Sequence, residues 1–448
     1  MHITTLFKKI LNVNKASVKK VYLDTDYNFE PILIIRVEQH KRYECRCGVC
    51  NKKSSRYDKG TQMKRWRALD FGVIQTYIES PMPRVNCKEH GVTAQKVSWA
   101  RHGSEFTRDF EDTVTWFVCG SNKTFVAEYM RINWRTVGNI ITRVYEEQGP
   151  SQTILFSNLK NIGIDETAYK KGHKYITVIV NHDTGRVIWV GVGKTEESLD
   201  VFFKLLTKEQ CKSIVAVTAD GADYIAKCVN KWCPQAELCM DPFHVVSWAT
   251  KALDETRRRV WNEVRKTSKP EKREKAGCPK KGEKKPKEDS AKEVKGMRYA
   301  LLKNPENLTA KQEVKLEMAE KSHPQLFRAY LFKEELRLIF KLPVEEACEA
   351  IDSWRSRAWR CKIPEIVVLQ KTIKEFKDKI LKSIELGFTN ARLEAMNNQI
   401  KVIIKMAYGF ANIENLIALI MLRCSEFEID LPGRMIAPTA TKDVKKQA

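Results

Sequence analysis

From Asn161 onward the apolar positions change their spacing several times, and each change marks an element. NIGIDETAY, HKYITVIVN and RVIWVGV are short runs rich in β-branched and aromatic residues, with HDTGR as the turn between the last two. They predict a three-stranded meander. TEESLDVFFKLL then takes helical spacing, SIVAVTAD reads as a buried strand, and a helix and the strand AELCMD follow. A long helix runs from Pro242 to about Trp261. The predicted order is βββαβαβα. Upstream, residues 45 to 90 are rich in Cys, Arg and turn formers, and 105 to 147 turn helical, with Phe110, Val114, Phe117 and Val118 on the apolar stripe. Downstream, Arg298 to about Leu381 is helical, broken at Pro305, Pro324, Pro343 and Pro364, and a last helix pair occupies roughly 390 to 428. No repeat of fixed period is present.

At 448 residues the chain is long enough for two to four folding units. Its formal charge of +23, from 79 Lys and Arg against 56 Asp and Glu, makes nucleic acid the leading partner. An anionic membrane fits the charge equally well, but no apolar run approaches the roughly 20 residues needed to span a bilayer. The start, MHITTLFKKILNVNK, is a poor secretory signal because lysines break a short apolar stretch, so a cytoplasmic, nucleoid-associated protein is expected. Thirteen cysteines, some in CxxC-type spacing and others single, read as metal ligands and buried thiols rather than a disulfide framework. Residues 265 to 295 hold 13 Lys and Arg, 6 Asp and Glu and almost nothing apolar, which predicts a basic loop, either a solvated insertion or a clamp on a DNA backbone.

Two acids stand out. Asp165 lies within the first predicted strand, on the face opposite Ile162, Ile164 and Glu166. Asp220 ends SIVAVTAD, where functional groups gather in α/β sheets. If the first and fourth strands are neighbours, both carboxylates enter one pocket, and two like charges held close call for a divalent cation. Oxygen ligands favour Mg²⁺ or Mn²⁺ in a two-metal phosphoryl-transfer site, and that chemistry calls for a third acid. Glu394, in TNARLEAMNNQIKVIIKMAYGF near the start of a helix that Asn390 can cap, is the best candidate; Glu375 and Glu385 are rivals on a lysine-rich helix.

GIDETAYKKGHKYITVI, VTADGADYIAKCVNKWCPQAELCMDPFHVV, LLKNPENLTAKQ and LEAMNNQIKVIIKMAYGF together resemble the ISL-three family of bacterial insertion-sequence transposases, in the family's order and across most of the chain. The resemblance implies a ribonuclease-H-like mixed α/β core with a large helical insertion. It also implies that Asp165, Asp220 and Glu394 are the DDE acids, with Glu394 174 positions after Asp220 because the insertion lies between them. DPFH is a family signature near the catalytic pocket; Asp241 and His244 within it either cap a helix and fill a polar niche or put His244 near the scissile phosphate. Paired element ends and two protomers, a homodimer on double-stranded DNA, are implied as well.

The parts that find DNA lie upstream. Cys47 and Cys50 form a CxxC and Cys87 and His90 a CxxH, a ligand set for a closed tetrahedral Zn²⁺, with Cys45 as a substitute. The 36 residues between the halves contain RWRALDFG and VIQTYIESP, which are expected as strands around the site, with Lys64, Arg65, Arg67 and Arg84 facing phosphate. TFVAEYMRINWRTVGNIITRVYEE resembles a helix-turn-helix, broken at Arg131 to Asn133, with Asn133 capping a second helix. Arg131, Trp134, Arg135, Thr136 and Asn139 are its candidate DNA contacts. The expected organisation is an N-terminal segment (1–40), a zinc-binding domain (41–100), a helix-turn-helix domain (101–150), the first part of the catalytic core (158–262), the basic loop with a helical insertion (263–385), the rest of the core (386–430) and a tail (431–448). The function expected is a transposase that binds terminal inverted repeats and cuts and joins DNA; a domesticated, DNA-binding regulator is the alternative.

Overall fold

The computed structural model describes residues 2–11, 13–267, 288–387, 391–406, 410, 412–427, 429 and 432, without the side chains of 267, 288–290 and 391–394. Two compact units emerge: Met1–Leu155 with Ile400–Ala448, and Phe156–Gln399.

The first unit opens with a helix, Ile3–Ile10, followed by seven strands: β1 (Ala16–Thr25), β2 (Pro31–Gln39), β3 (Ser55–Arg56), β4 (Met63–Arg67), β5 (Gln75–Pro81), β6 (Arg84–Cys87) and β7 (Gly91–Ala94). They form two sheets, ordered β1-β2-β5-β4 and β3-β6-β7. PILIIRVEQ buries Ile32, Leu33, Ile34, Ile35 and Val37, apolar on both faces, and so takes a central place, paired antiparallel to β1 and parallel to β5. Trp66 of β4 and Trp99 meet edge to face at 5.6 Å in the core below. The expectation that RWRALDFG and VIQTYIESP surround the metal ligands is corrected here. These strands instead extend the N-terminal hairpin edge to edge, β5 beside β2, and bury Trp66 and Ile78 in one core with Phe7, Val97 and Trp99.

Three helices follow, Arg108–Gly120, Lys123–Tyr129 and Trp134–Gln148. The side chains of Thr107, Asn122 and Asn133 cap them by accepting from the backbone N–H of Phe110, Phe125 and Arg135. Arg131 takes φ +53° at the predicted break. The helix Ile413–Cys424, IENLIALIMLRC, is apolar nearly all round and packs on Trp134–Gln148. Residues 386–430, grouped by the sequence with the catalytic core, therefore divide, and this last helix joins the first unit.

The second unit contains β8 (Asn161–Lys170), β9 (Lys174–Asn181), β10 (Arg186–Val192), β11 (Ala216–Ala219) and β12 (Glu237–Met240) in the order β10-β9-β8-β11-β12. The first three form the antiparallel meander, and β8, β11 and β12 are mutually parallel. Helices Glu196–Leu205, Lys208–Ser213, Asp223–Trp232 and Pro242–Thr267 complete the predicted alternation. Seven further helices lie between Glu288 and Glu385 among the described residues. Pro324 and Pro364 occupy first helical turns and Pro343 an N-cap, as the breaks require. Their core centres on Trp354, fully buried, whose indole N–H donates to the Phe332 carbonyl at 3.0 Å. Arg259 of the long helix binds Glu365 at 2.9 Å and ties the two regions together. Residues 268–287, most of the lysine-rich segment, fall outside the described residues. No described helix is long and apolar enough to cross a membrane.

Candidate active site and nucleic-acid surface

Strand register lines up the acids. Val217 lies opposite Ile162 and Thr218 opposite Gly163, so two positions further Asp220 stands beside Asp165. Ala219 lies opposite Met240, so the next pair is Asp220 and Asp241. Three carboxylates thus form a row across three parallel strands, Asp165 within β8 and Asp220 and Asp241 just past the ends of β11 and β12. His244, in the first turn of Pro242–Thr267, joins that row: its Nε2 is 3.9 Å from Asp165 Oδ1 and 3.8 Å from Asp241 Oδ2. Asp241 also accepts the Phe243 N–H at 2.9 Å. Asp241 thus caps the helix start with one oxygen while the other lies beside His244.

Asp220 Oδ1 accepts the Ala222 N–H at 3.0 Å, which fixes the carboxylate in the turn from β11 to the next helix. Gly221 makes that turn at φ +92°, and a Cβ there would stand 2.8 Å from Met240 Cε and 3.3 Å from Phe376 Cε1. Sequence reading missed Glu166. The Tyr224 hydroxyl donates to its Oε1. Burial, then the negative charges of Asp220 and Asp165, hold its carboxyl above the ordinary range against that hydrogen bond. No spacing rule pairs a strand acid with a tyrosine 58 positions away. Glu394 lies on the helix Ala391–Met406, but its side chain, like Asn390, is outside the described residues. Of its rivals, Glu385 pairs with Lys382 at 3.2 Å.

In the first unit, Cys47, Cys50, Cys87 and His90 bring their ligand atoms within 4.8 Å of one another. Cys50 Sγ is 3.7 Å from Cys87 Sγ, and His90 Nδ1 is 3.7 Å from Cys87 Sγ and 3.9 Å from Cys47 Sγ. Zn–S bonds of about 2.3 Å give tetrahedral edges of about 3.8 Å, so the spacing fits zinc. The His90 ring, then backbone N–H groups, bring the Cys87 thiol down to about 6, toward the thiolate a metal needs. Cys87 ends β6 and pairs with Gly91 across a tight hairpin that carries His90. Cys45 stands outside this group, its N–H donating to Gln95 Oε1.

The four basic residues near the metal ligands are less free than expected. Arg67 is buried and bonded to Asp70 at 2.8 Å, Arg65 pairs with the buried Glu79 at 3.2 Å, and Arg84 pairs with Asp58 at 2.6 Å. Burying the Arg67 charge required that carboxylate partner, although Arg67 still lines the groove. Lys64, Arg65 and Arg84 line an open groove of about 1020 Å³ with Gln62, Asn133 and Thr136. The sheet and the second helix of the pair thus share one basic surface. On that helix Arg135 and Asn139 are exposed one turn apart, Arg131 is exposed but bound to Asp70, and Trp134 lies under Lys123 Nζ at 3.6 Å.

Comparison with known proteins resolves the family. Residues 162–420 match the DDE model of ISL3, described as a transposase. The chain belongs to transposase family ISL3. Residues 95–145 match the helix-turn-helix domain of the same family, and 43–90 match the zinc-finger of transposase IS204/IS1001/IS1096/IS1165. The transposase for insertion sequence element IS1557 of Mycobacterium tuberculosis is 42% identical over 432 residues, covering 96% of this chain and 97% of that one. The transposase for IS1001 of Bordetella parapertussis is 26% identical over 357 residues, 79% of this chain and 82% of its own. The finger match and the Cys/His group together support structural zinc; the DDE match implies a divalent metal, and the helix-turn-helix match supports DNA binding.

Proposed function

We propose that this protein is a DNA transposase that binds the terminal inverted repeats of an insertion sequence and cuts and joins DNA at the carboxylate row. The strand register that brings Asp220 beside Asp165 carries the reading. An antiparallel meander followed by two parallel strands supports a ribonuclease-H-like core, and the helices between Glu288 and Glu385 are its insertion. Asp165, Asp220 and Glu394 are the proposed ligands of Mg²⁺ or Mn²⁺. Bound there, two such ions supply Lewis-acid activation of the attacking oxygen and charge neutralisation at the leaving one.

The chain's own part is positional. Asp165 is held by a central strand and Asp220 by the Ala222 N–H, so both carboxylates are preorganised before DNA arrives. His244 presents a ring nitrogen beside Asp165, where it can hydrogen-bond a phosphate oxygen. The nucleophile is first water, then the freed 3′-hydroxyl, with no covalent protein–DNA link. In the first unit, zinc at Cys47, Cys50, Cys87 and His90 clasps the finger. Arg135 and Asn139 read base edges, and Lys64 and Arg65 take phosphates along the groove. Two copies act together, since joining requires two ends.

The test is cleavage and joining on the element's own ends with Mg²⁺. Asp165→Asn, Asp220→Asn and Glu394→Gln should each abolish product while leaving end binding intact. Full activity in any one removes that residue from the site. Asp241→Asn tests whether the third acid is instead the one on β12's end. Binding without any joining by the wild-type chain would favour the regulator.

A further inference from the structure

The helix Val344–Arg360 presents Asp352, Arg355, Trp359 and Arg360 along one side, at spacings of three, four and one. With Gln370 and Lys374 of the helix Pro364–Glu375 they line a groove of about 550 Å³. Three features set it apart from a solvated helix surface. Trp359 is 59% exposed in a region whose other tryptophan, Trp354, is fully buried. Gln370, only 7% exposed, turns toward the groove from the second helix. Arg355 holds a buried Nε–H without an acceptor while its other end reaches Asp352 at 3.0 Å. Asp352 is neutralised a second time by Lys377 at 2.7 Å, so the groove is cationic.

A buried guanidinium donor without an acceptor, beside a groove-lining amide, an open indole and two more cations, matches one chemistry: a phosphate with an unstacked base. A base within a duplex cannot offer its face to Trp359. The position agrees, because Lys374 is two residues from Phe376, which packs against Gly221 next to Asp220. Resting on the transposase reading, we propose that this groove holds an unpaired nucleotide of the DNA at the cleavage site, its base stacked on Trp359 and its phosphates met by Arg355, Arg360 and Lys374. The amide of Gln370 then bonds the base edge or sugar.

The full chain is titrated with fluorescently labelled oligo(dT) and, separately, with a blunt duplex. Trp359→Ala should weaken oligo(dT) binding by roughly 5- to 150-fold, the range for one lost stacking partner, and leave duplex affinity unchanged. Trp359→Phe should keep most of the affinity. Replacing Arg355, Arg360 and Lys374 together by Gln should lower the salt slope of oligo(dT) binding by about 2. Unchanged oligo(dT) affinity in Trp359→Ala overturns the proposal, as does an equal loss on duplex. Joining activity in Asp165→Asn is a separate readout, so either reading can fail while the other stands.

Discussion

Gly138 gives a prediction whose sign is contested by two effects. It sits mid-helix on Trp134–Gln148, where replacing glycine by alanine ordinarily stabilises by about 1 kcal/mol. Here an added Cβ would lie 2.3 Å from Asn415 Nδ2 and 2.9 Å from Lys123 Nζ. Neither can move aside cheaply. The Asn415 Oδ1 accepts the Thr142 hydroxyl at 2.7 Å, and Lys123 is 3% exposed with its ammonium over Trp134, where burial already brings its pKa down to about 8. Overpacking of this kind costs about 1–3 kcal/mol. Gly138→Ala should therefore destabilise the first unit by up to about 2 kcal/mol once the helix gain is subtracted. Urea denaturation followed by tryptophan fluorescence measures it. Adding Asn415→Ala should recover part of the loss, giving a coupling energy of about 0.5 kcal/mol or more in the double-mutant cycle. Greater stability in Gly138→Ala refutes the packing argument.

Other consequences are as direct. Arg101, 2% exposed, binds Glu111, Asp112 and Glu147; Arg101→Ala strands the fully buried Glu111 and should cost about 3–5 kcal/mol in the same denaturation assay. Zinc analysis of a Cys47→Ser, Cys87→Ser variant should show one equivalent lost, and undiminished zinc would defeat the site. Burial pushes His182 down to about 4, its Nε2 2.6 Å from Thr218 Oγ1. The unfolded chain takes up that proton first, so the second unit loses stability as pH falls from about 6.5 to 4, by at most about 3 kcal/mol. His182→Gln should flatten that part of the pH profile; an unchanged difference between pH 7 and pH 5 would show that His182 does not titrate there.

Much of the second unit was legible because its elements are local. Strand alternation and one turn gave the meander, and prolines marked the helix starts between 298 and 381. Asp165 and Asp220 were visible as acids misplaced on apolar strands, and their alignment needed only the neighbouring order of β8 and β11. The Cys and His ligands were visible from spacing alone. What stayed hidden depends on pairing between distant segments. Nothing in PILIIRVEQ says that it lies parallel to QTYIESP, so the strands around Trp66 were assigned to the metal site. Charge counting could not reveal that Arg67 is spent on Asp70 or that Arg65 neutralises Glu79. The last helix was grouped by position, whereas its apolar circumference and the missing side chain at Gly138 settle its neighbour.

The metal ligands come in two pairs, and the chain between them does not stay near. After Cys50 it forms β3, leaves to build β4 and β5 in the other sheet, and returns through β6 to Cys87. A metal held by both pairs is therefore a clasp on a long loop, and closing it has an entropic cost that the sheet has already met once β5 is in place. During synthesis, the clasp cannot shut until His90 has emerged, by which point β1, β2, β4 and β5 are all available to pair. Stripping the metal or oxidising the thiols loosens the same loop that carries Lys64 and Arg65. Metal supply and redox state would thereby bear on DNA capture, through a segment that also holds Arg131 of the helix-turn-helix by way of Asp70.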